Sequence, residues 1–165
     1  MNELQLDLEL PDAAATEALG ARLAGLLAAR QGLLVYLQGE LGAGKTTLAR
    51  GWLRALGVRG AIRSPTYTLV EPYEFDGRSL LHLDLYRLND PAELEQLGLS
   101  DTPPDRSHWL VEWPERGGDR LPAPDLRILL GGRGPSRHAR LDASPALRPL
   151  LEALRRDRRT ALGKT

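Results

Sequence analysis

The chain has 165 residues, one domain's worth and enough to bury a single core. Basic and acidic residues balance at 22 each, so no global field draws it onto nucleic acid or an anionic membrane. Zero cysteines exclude a disulfide scaffold, a thiolate metal site and a cysteine nucleophile. No apolar run approaches the roughly 18 residues needed to cross a bilayer, and MNELQLDLEL is not a signal peptide. A soluble, cytoplasmic, single-domain protein spanning 1–165 is expected. Only Lys45 and Lys164 are lysine among the basic residues, so a retained lysine points to chemistry.

Residues 4 to 10 alternate apolar leucines with polar residues, the period of a strand with one wet face. Pro11 and Asp12 open a helix carrying Leu19, Leu23, Leu26 and Leu27 on its buried stripe, ended by Gly32. Leu33 to Leu37 is apolar throughout, as in a strand covered on both faces, and a second helix runs from the following glycine-rich loop to about Leu56. Tyr67–Phe75 and Ser79–Arg87 read as a hairpin joined at Asp76-Gly77. Asp90, Pro91 and Glu93 have the spacing of a capped short helix. Strands are expected at 108–113, 126–130 and 139–143, with a Gly/Pro-rich loop over 114–124. The last helix starts at Ser144-Pro145 or at Pro149, and its basic end, 154–165 with the Arg155–Arg159 cluster, is expected to fray. The order argues for an α/β sheet with mixed strand directions; joined to the glycine-rich signature of residues 39–46, it makes the expected fold a single-domain P-loop NTPase with a mixed, mainly parallel central sheet flanked by helices.

The P-loop signature GxxxxGK[ST] is matched by Gly39, Gly44, Lys45 and Thr46, between an expected strand and an expected helix. Gly42 and Gly44 let the backbone curl so that the N–H groups of Leu41, Gly42, Ala43, Gly44, Lys45, Thr46 and Thr47 form an anion nest at a helix N-terminus. Lys45 supplies a compact ammonium for β- and γ-phosphates, and Thr46 a hydroxyl for Mg²⁺. The bland alternative is a glycine-rich turn with a solvated lysine.

Such a loop needs a carboxylate at the end of a neighbouring buried strand. Leu80-Leu81-His82-Leu83-Asp84 and Trp109-Leu110-Val111-Glu112 both supply one. Glu112 is favoured as a metal-shell ligand and Asp84 as the group orienting metal or attacking water. No Asn-Lys-x-Asp element is present, which favours ATP over GTP. Ser64, Thr66, Tyr67 and Thr68 form either a loop sensing the γ-phosphate or a proline-set turn entering a strand.

Four blocks together resemble the TsaE (YjeE) family of small P-loop ATPases of bacterial tRNA threonylcarbamoyladenosine synthesis. They are Gly39–Thr47, Ser64–Tyr73, His82–Leu88 with Asp90-Pro91 and Glu93-Leu94, and Leu110–Pro114. The resemblance covers roughly residues 10 to 125. It implies ATP and Mg²⁺ as cofactors and the TsaD and TsaB proteins as partners, with tRNA reached indirectly and no membrane. By position it implies Lys45 as phosphate ligand, Thr46 and Glu112 as Mg²⁺ ligands, and Asp84 as a hydrolysis residue. It further implies a switch-like loop at Ser64–Tyr73, Trp113 beside the nucleotide, and backbone near Ala13 against the adenine. Arg137 either reaches the nucleotide or is a solvent arginine.

Three readings follow: an ATPase slow in isolation, with no arginine finger evident in cis; a nucleotide-gated binding module reset by hydrolysis; and a small-molecule phosphotransferase.

Overall fold

The computed structural model describes residues 4–162, with side chains as far as Arg158. The elements are β1 (Gln5–Leu10), α1 (Ala13–Leu27), β2 (Leu33–Gln38), α2 (Lys45–Ala55), β3 (Val70–Phe75) and β4 (Arg78–Asp84), then β5 (His108–Glu112), β6 (Leu126–Gly131), β7 (Arg137–Ala143) and α3 (Arg148–Leu162). The seven strands form one sheet in the order β1-β7-β6-β2-β5-β4-β3. Its four central strands, β6, β2, β5 and β4, are parallel, whereas β1, β7 and β3 join antiparallel at the flanks. The sheet is therefore mixed, with a parallel centre whose carboxyl ends share one edge.

Strand alternation sends β2 into two cores at once. Leu33, Val35 and Leu37 enter a large core with Leu23, Leu48, Trp52 and Leu151, so α1, α2 and α3 lie on that face. Leu34 and Tyr36 enter a smaller core on the opposite face, with Leu81, Leu83, Trp109 and Val111. This second face carries no α-helix among the described residues. Short 3₁₀ turns at Pro91–Leu97, Leu99–Asp101 and Pro114–Arg120 cover it instead. Gly98, at φ +69°, separates the first two, and Gly118 breaks the third with non-helical backbone angles.

Several local signals act as their chemistry demands. Asp12 accepts from the Ala15 N–H at 2.8 Å and caps α1. Asp90 caps its turn through the Ala92 N–H, while Glu93 reaches back to the Asn89 N–H rather than to the cap's own. Asp76 and Gly77 both take positive φ in the β3–β4 turn.

Several boundaries differ from the sequence reading. The hairpin strands are shorter, because Leu69 at φ +67° donates its N–H to Pro65 and closes a turn ahead of β3. Asp84 ends β4 by accepting from the Tyr86 N–H at 3.0 Å, an Asx turn. The helix runs on through most of the expected basic tail. Leu154 is buried in the large core and α3 continues to Leu162, whereas the Arg159 side chain and residues 163–165 lie outside the described residues. No helix among the described residues is long and apolar enough to cross a membrane.

Candidate nucleotide site

The parallel centre places three strand ends side by side. β2 runs into the glycine-rich loop, β5 ends at Glu112, and β4 ends at Asp84, whose Cα is in register with that of Glu112. Gly39 has φ +149°, and a Cβ there would stand 2.4 Å from the Leu130 carbonyl oxygen of β6, so only glycine fits. Gly44, at φ +106°, turns the chain into α2, whose first residue is Lys45.

Lys45 is 4 % exposed. Its Nζ donates to the carbonyls of Gly39 at 2.6 Å and Glu40 at 2.8 Å, and lies 4.4 Å from the centroid of the Trp113 ring. Burial lowers its pKa from the ordinary lysine value, and the carboxylates of Glu112 and Asp84 oppose that shift. Trp113 reaches this position by taking φ +57° directly after β5, a rare conformation for a bulky residue. Its ring also meets Tyr86 at 5.0 Å.

Thr46 Oγ1 donates to Glu112, 2.9 Å from Oε1 and 3.2 Å from Oε2. Glu112 is only 2 % exposed and has a second partner, His82 Nε2 at 2.7 Å from Oε2. Asp84 Oδ2 accepts from Thr66 at 3.1 Å and Ser64 at 3.4 Å, and the two hydroxyls are 2.7 Å apart. The Asp84 N–H in turn donates to the Leu69 carbonyl, so Asp84 is bound to the 64–69 segment by side chain and backbone.

These groups surround a cleft of about 300 Å³ lined by residues 41–47, Ser64, Thr66, Asp84, Glu112 and the rings of Tyr86 and Trp113. Four expected residues are not in its lining. Tyr67 and Thr68 line a neighbouring cavity of about 540 Å³, with Tyr67 81 % exposed and its ring against the Arg87 guanidinium. Ala13 is the first residue of α1, and Arg137 donates to the carbonyls of Gly42 and Ala43. His82 and Tyr86 are the site residues that the sequence reading leaves unassigned. A polar residue at the i−2 position from Asp84, on the same face of an otherwise apolar strand, is the available signal for His82.

The donor set suits a hard cation. Thr46 and Glu112 converge with oxygen atoms, Asp84 adds another carboxylate nearby, and no cluster of three His, Cys, Asp or Glu among the described residues forms a ready cage. Such a site fits Mg²⁺, which takes one or two protein oxygens and leaves the rest of its shell to phosphates and waters.

Fold and loop together define a P-loop NTPase: a parallel-centred sheet with the glycine-rich loop between β2 and α2 at its carboxyl edge. The family model described as "Threonylcarbamoyl adenosine biosynthesis protein TsaE" matches residues 10–139, and the chain belongs to this family. A Haemophilus influenzae protein named tRNA threonylcarbamoyladenosine biosynthesis protein TsaE is 44% identical over 122 residues, 72% of this chain and 77% of its own. A Streptomyces coelicolor protein of the same name is 50% identical over 113 residues, covering 67% and 74% respectively. The crystal structure of Bacillus subtilis YdiB superposes with a TM-score of 0.75 at 27% identity, covering 93% of this chain and 95% of that one.

Proposed function

We propose that the chain is an Mg²⁺-dependent ATPase that supports formation of N6-threonylcarbamoyladenosine in tRNA by acting on a TsaD–TsaB transfer complex. The observation that carries this reading is the convergence of Lys45, Thr46, Asp84 and Glu112 on one cleft at the ends of adjacent parallel strands. The names of its relatives support the pathway.

In this reading the Lys45 ammonium and N–H groups of the 41–47 loop, apart from that of Ala43 which bonds the Glu40 carbonyl, bind the β- and γ-phosphates. Thr46 and Glu112 would hold Mg²⁺, whose charge would offset that building on the phosphate oxygens. Asp84 orients the attacking water as the bond from γ-phosphorus to the bridging oxygen breaks, giving ADP and inorganic phosphate. No arginine lines the cleft among the described residues, so turnover is slow until a partner completes the site.

A second reading treats hydrolysis as the reset of a nucleotide-gated contact. It is favoured by the bonds from Asp84 to Ser64, Thr66 and Leu69, which couple the site to the 64–69 segment. In that case Glu112→Gln still assembles with its partners when ATP is present.

Phosphate release from Mg·ATP, measured alone and with TsaB and TsaD for wild type and Lys45→Ala, tests the proposal. A low basal rate that rises with the partners and vanishes in the variant supports it. Release indifferent to the partners removes the pathway role, and phosphate transferred to a small acceptor identifies a phosphotransferase instead.

A further inference from the structure

Arg137 is the first residue of β7, and its guanidinium works on the outer side of the phosphate loop. Nε donates to the Ala43 carbonyl at 3.2 Å and Nη2 to the Gly42 carbonyl at 3.0 Å. Nη1 donates to the Ser136 carbonyl at 2.8 Å and also to that of Gly134. One planar cation thus ties two carbonyls of the phosphate loop to two carbonyls of the β6–β7 turn.

The consequence follows from peptide geometry. A trans peptide points its C=O and the next N–H in opposite directions. Drawing the Ala43 carbonyl toward Arg137 turns the Gly44 N–H the other way, to the concave side where an anion nest needs a donor. Drawing the Gly42 carbonyl outward does the same for the Ala43 N–H, which closes the loop on the Glu40 carbonyl at 3.0 Å.

The turn is built to hold its half of the clamp. Gly132 takes φ +122°, and a Cβ there would come within 2.7 Å of the Ser136 oxygen that Arg137 uses. Its neighbour strand β6 already abuts the loop through Leu130 and Gly39. The loop is therefore pressed against a fixed hairpin from two points. Only arginine suits this task, because five donors in one rigid plane reach four carbonyls, whereas a lysine ammonium offers three donors at a single point.

The geometry points to Arg137 as a positioning residue that orients the Gly42–Gly44 backbone for phosphate. Its effect on ligand binding rests on the nucleotide reading above; its effect on the loop does not.

The test uses the full chain with Arg137→Ala and Arg137→Lys. Amide hydrogen exchange over residues 39–47, in protein without nucleotide, is expected to rise roughly ten-fold in both variants while α1 and β2 stay protected. Affinity for ATP and for inorganic tripolyphosphate is expected to fall by the same factor, roughly ten-fold or more. Loop exchange equal to wild type overturns the inference, as does a rise spread over the whole fold. A loss of ATP affinity with tripolyphosphate affinity intact also overturns it, since that marks a direct contact with the nucleoside. If wild type itself binds neither ligand, the nucleotide reading fails and the exchange measurement alone decides the role of Arg137.

Discussion

His82 and Glu112 meet diagonally across β4 and β5, with the imidazole Nε2 2.7 Å from the carboxylate Oε2 and both side chains buried. Glu112 is thereby held from two sides, by the Thr46 hydroxyl of the phosphate loop and by a histidine of the neighbouring strand. The arrangement leaves His82 Nδ1 buried without a hydrogen-bond partner, a cost tolerated where orientation matters more than satisfaction. Partners of this kind would fix the rotamer of Glu112 in the metal-holding role proposed for it.

His82→Leu is therefore expected to reduce phosphate release about 10- to 100-fold and to raise the Mg²⁺ concentration needed for half-maximal rate. His82→Gln, which keeps a donor near Oε2, should recover a substantial part of both. A Leu variant with wild-type Mg²⁺ dependence would show that His82 only fills space.

The crossing of α1 and α2 depends on two glycines that face opposite helices. A Cβ at Gly20 would lie 2.1 Å from the Leu48 carbonyl oxygen, and one at Gly51 2.0 Å from that of Glu17. Backbone cannot yield as a flexible side chain does, so the helices must separate. Gly51→Ala and Gly20→Ala are each expected to cost about 1–3 kcal/mol despite alanine's better helix propensity. Thermal melts read this as a fall of roughly 3–10 °C. Because α2 begins at Lys45, nucleotide affinity should drop in the same variants.

How much of this is legible in sequence depends on how local each interaction is. The phosphate loop is readable because its glycines, lysine and threonine act within eight consecutive residues of chain, 39–46. Asp84 and Glu112 are readable because a charge ends an apolar run. The partner of Glu112 is not, since His82 lies 30 residues away and only strand pairing brings the two together. Arg137 is harder still, because its acceptors are backbone carbonyls 94 and 95 residues earlier, which carry no sequence signal. The start of β3 is hidden for a similar reason: the strand-like run over 67–75 says nothing of the Leu69–Pro65 bond that turns the chain first.

His108 predicts an acid-sensitive fold remote from the phosphate loop. Its Nε2 donates to the Arg30 carbonyl at 2.7 Å, and its Nδ1 is buried with no acceptor to receive a proton. Burial lowers its pKa, the Arg30 hydrogen bond opposes this, and the charges of Arg78 and Arg30 lower it further. Between the folded pKa and the unfolded value near 6.5, the unfolded chain binds more protons, so stability falls as pH drops through that window. Urea midpoints measured from pH 7.5 to 5 should decline in wild type and decline less in His108→Gln. Parallel curves would assign the acid sensitivity elsewhere.

Lys45 carries the opposite balance of stability and function. Its ammonium is buried, and burial outweighs the attraction of Glu112 and Asp84, leaving the folded pKa below that of the unfolded chain. For a base shifted this way, the unfolded state binds the proton more tightly, and the penalty is fully present at every pH below the folded pKa. It is relieved only as pH rises through the window between the two values. At neutral pH the fold therefore bears a cost that methionine, similar in length and uncharged, does not impose. Lys45→Met is expected to melt at or above the wild-type temperature while losing ATP binding, a pairing that separates a functional cation from a structural one. The advantage should shrink as pH approaches the alkaline range where wild-type Lys45 sheds its proton. A variant that melts several degrees lower would instead mark the bonds to Gly39 and Glu40 as structural supports of the loop.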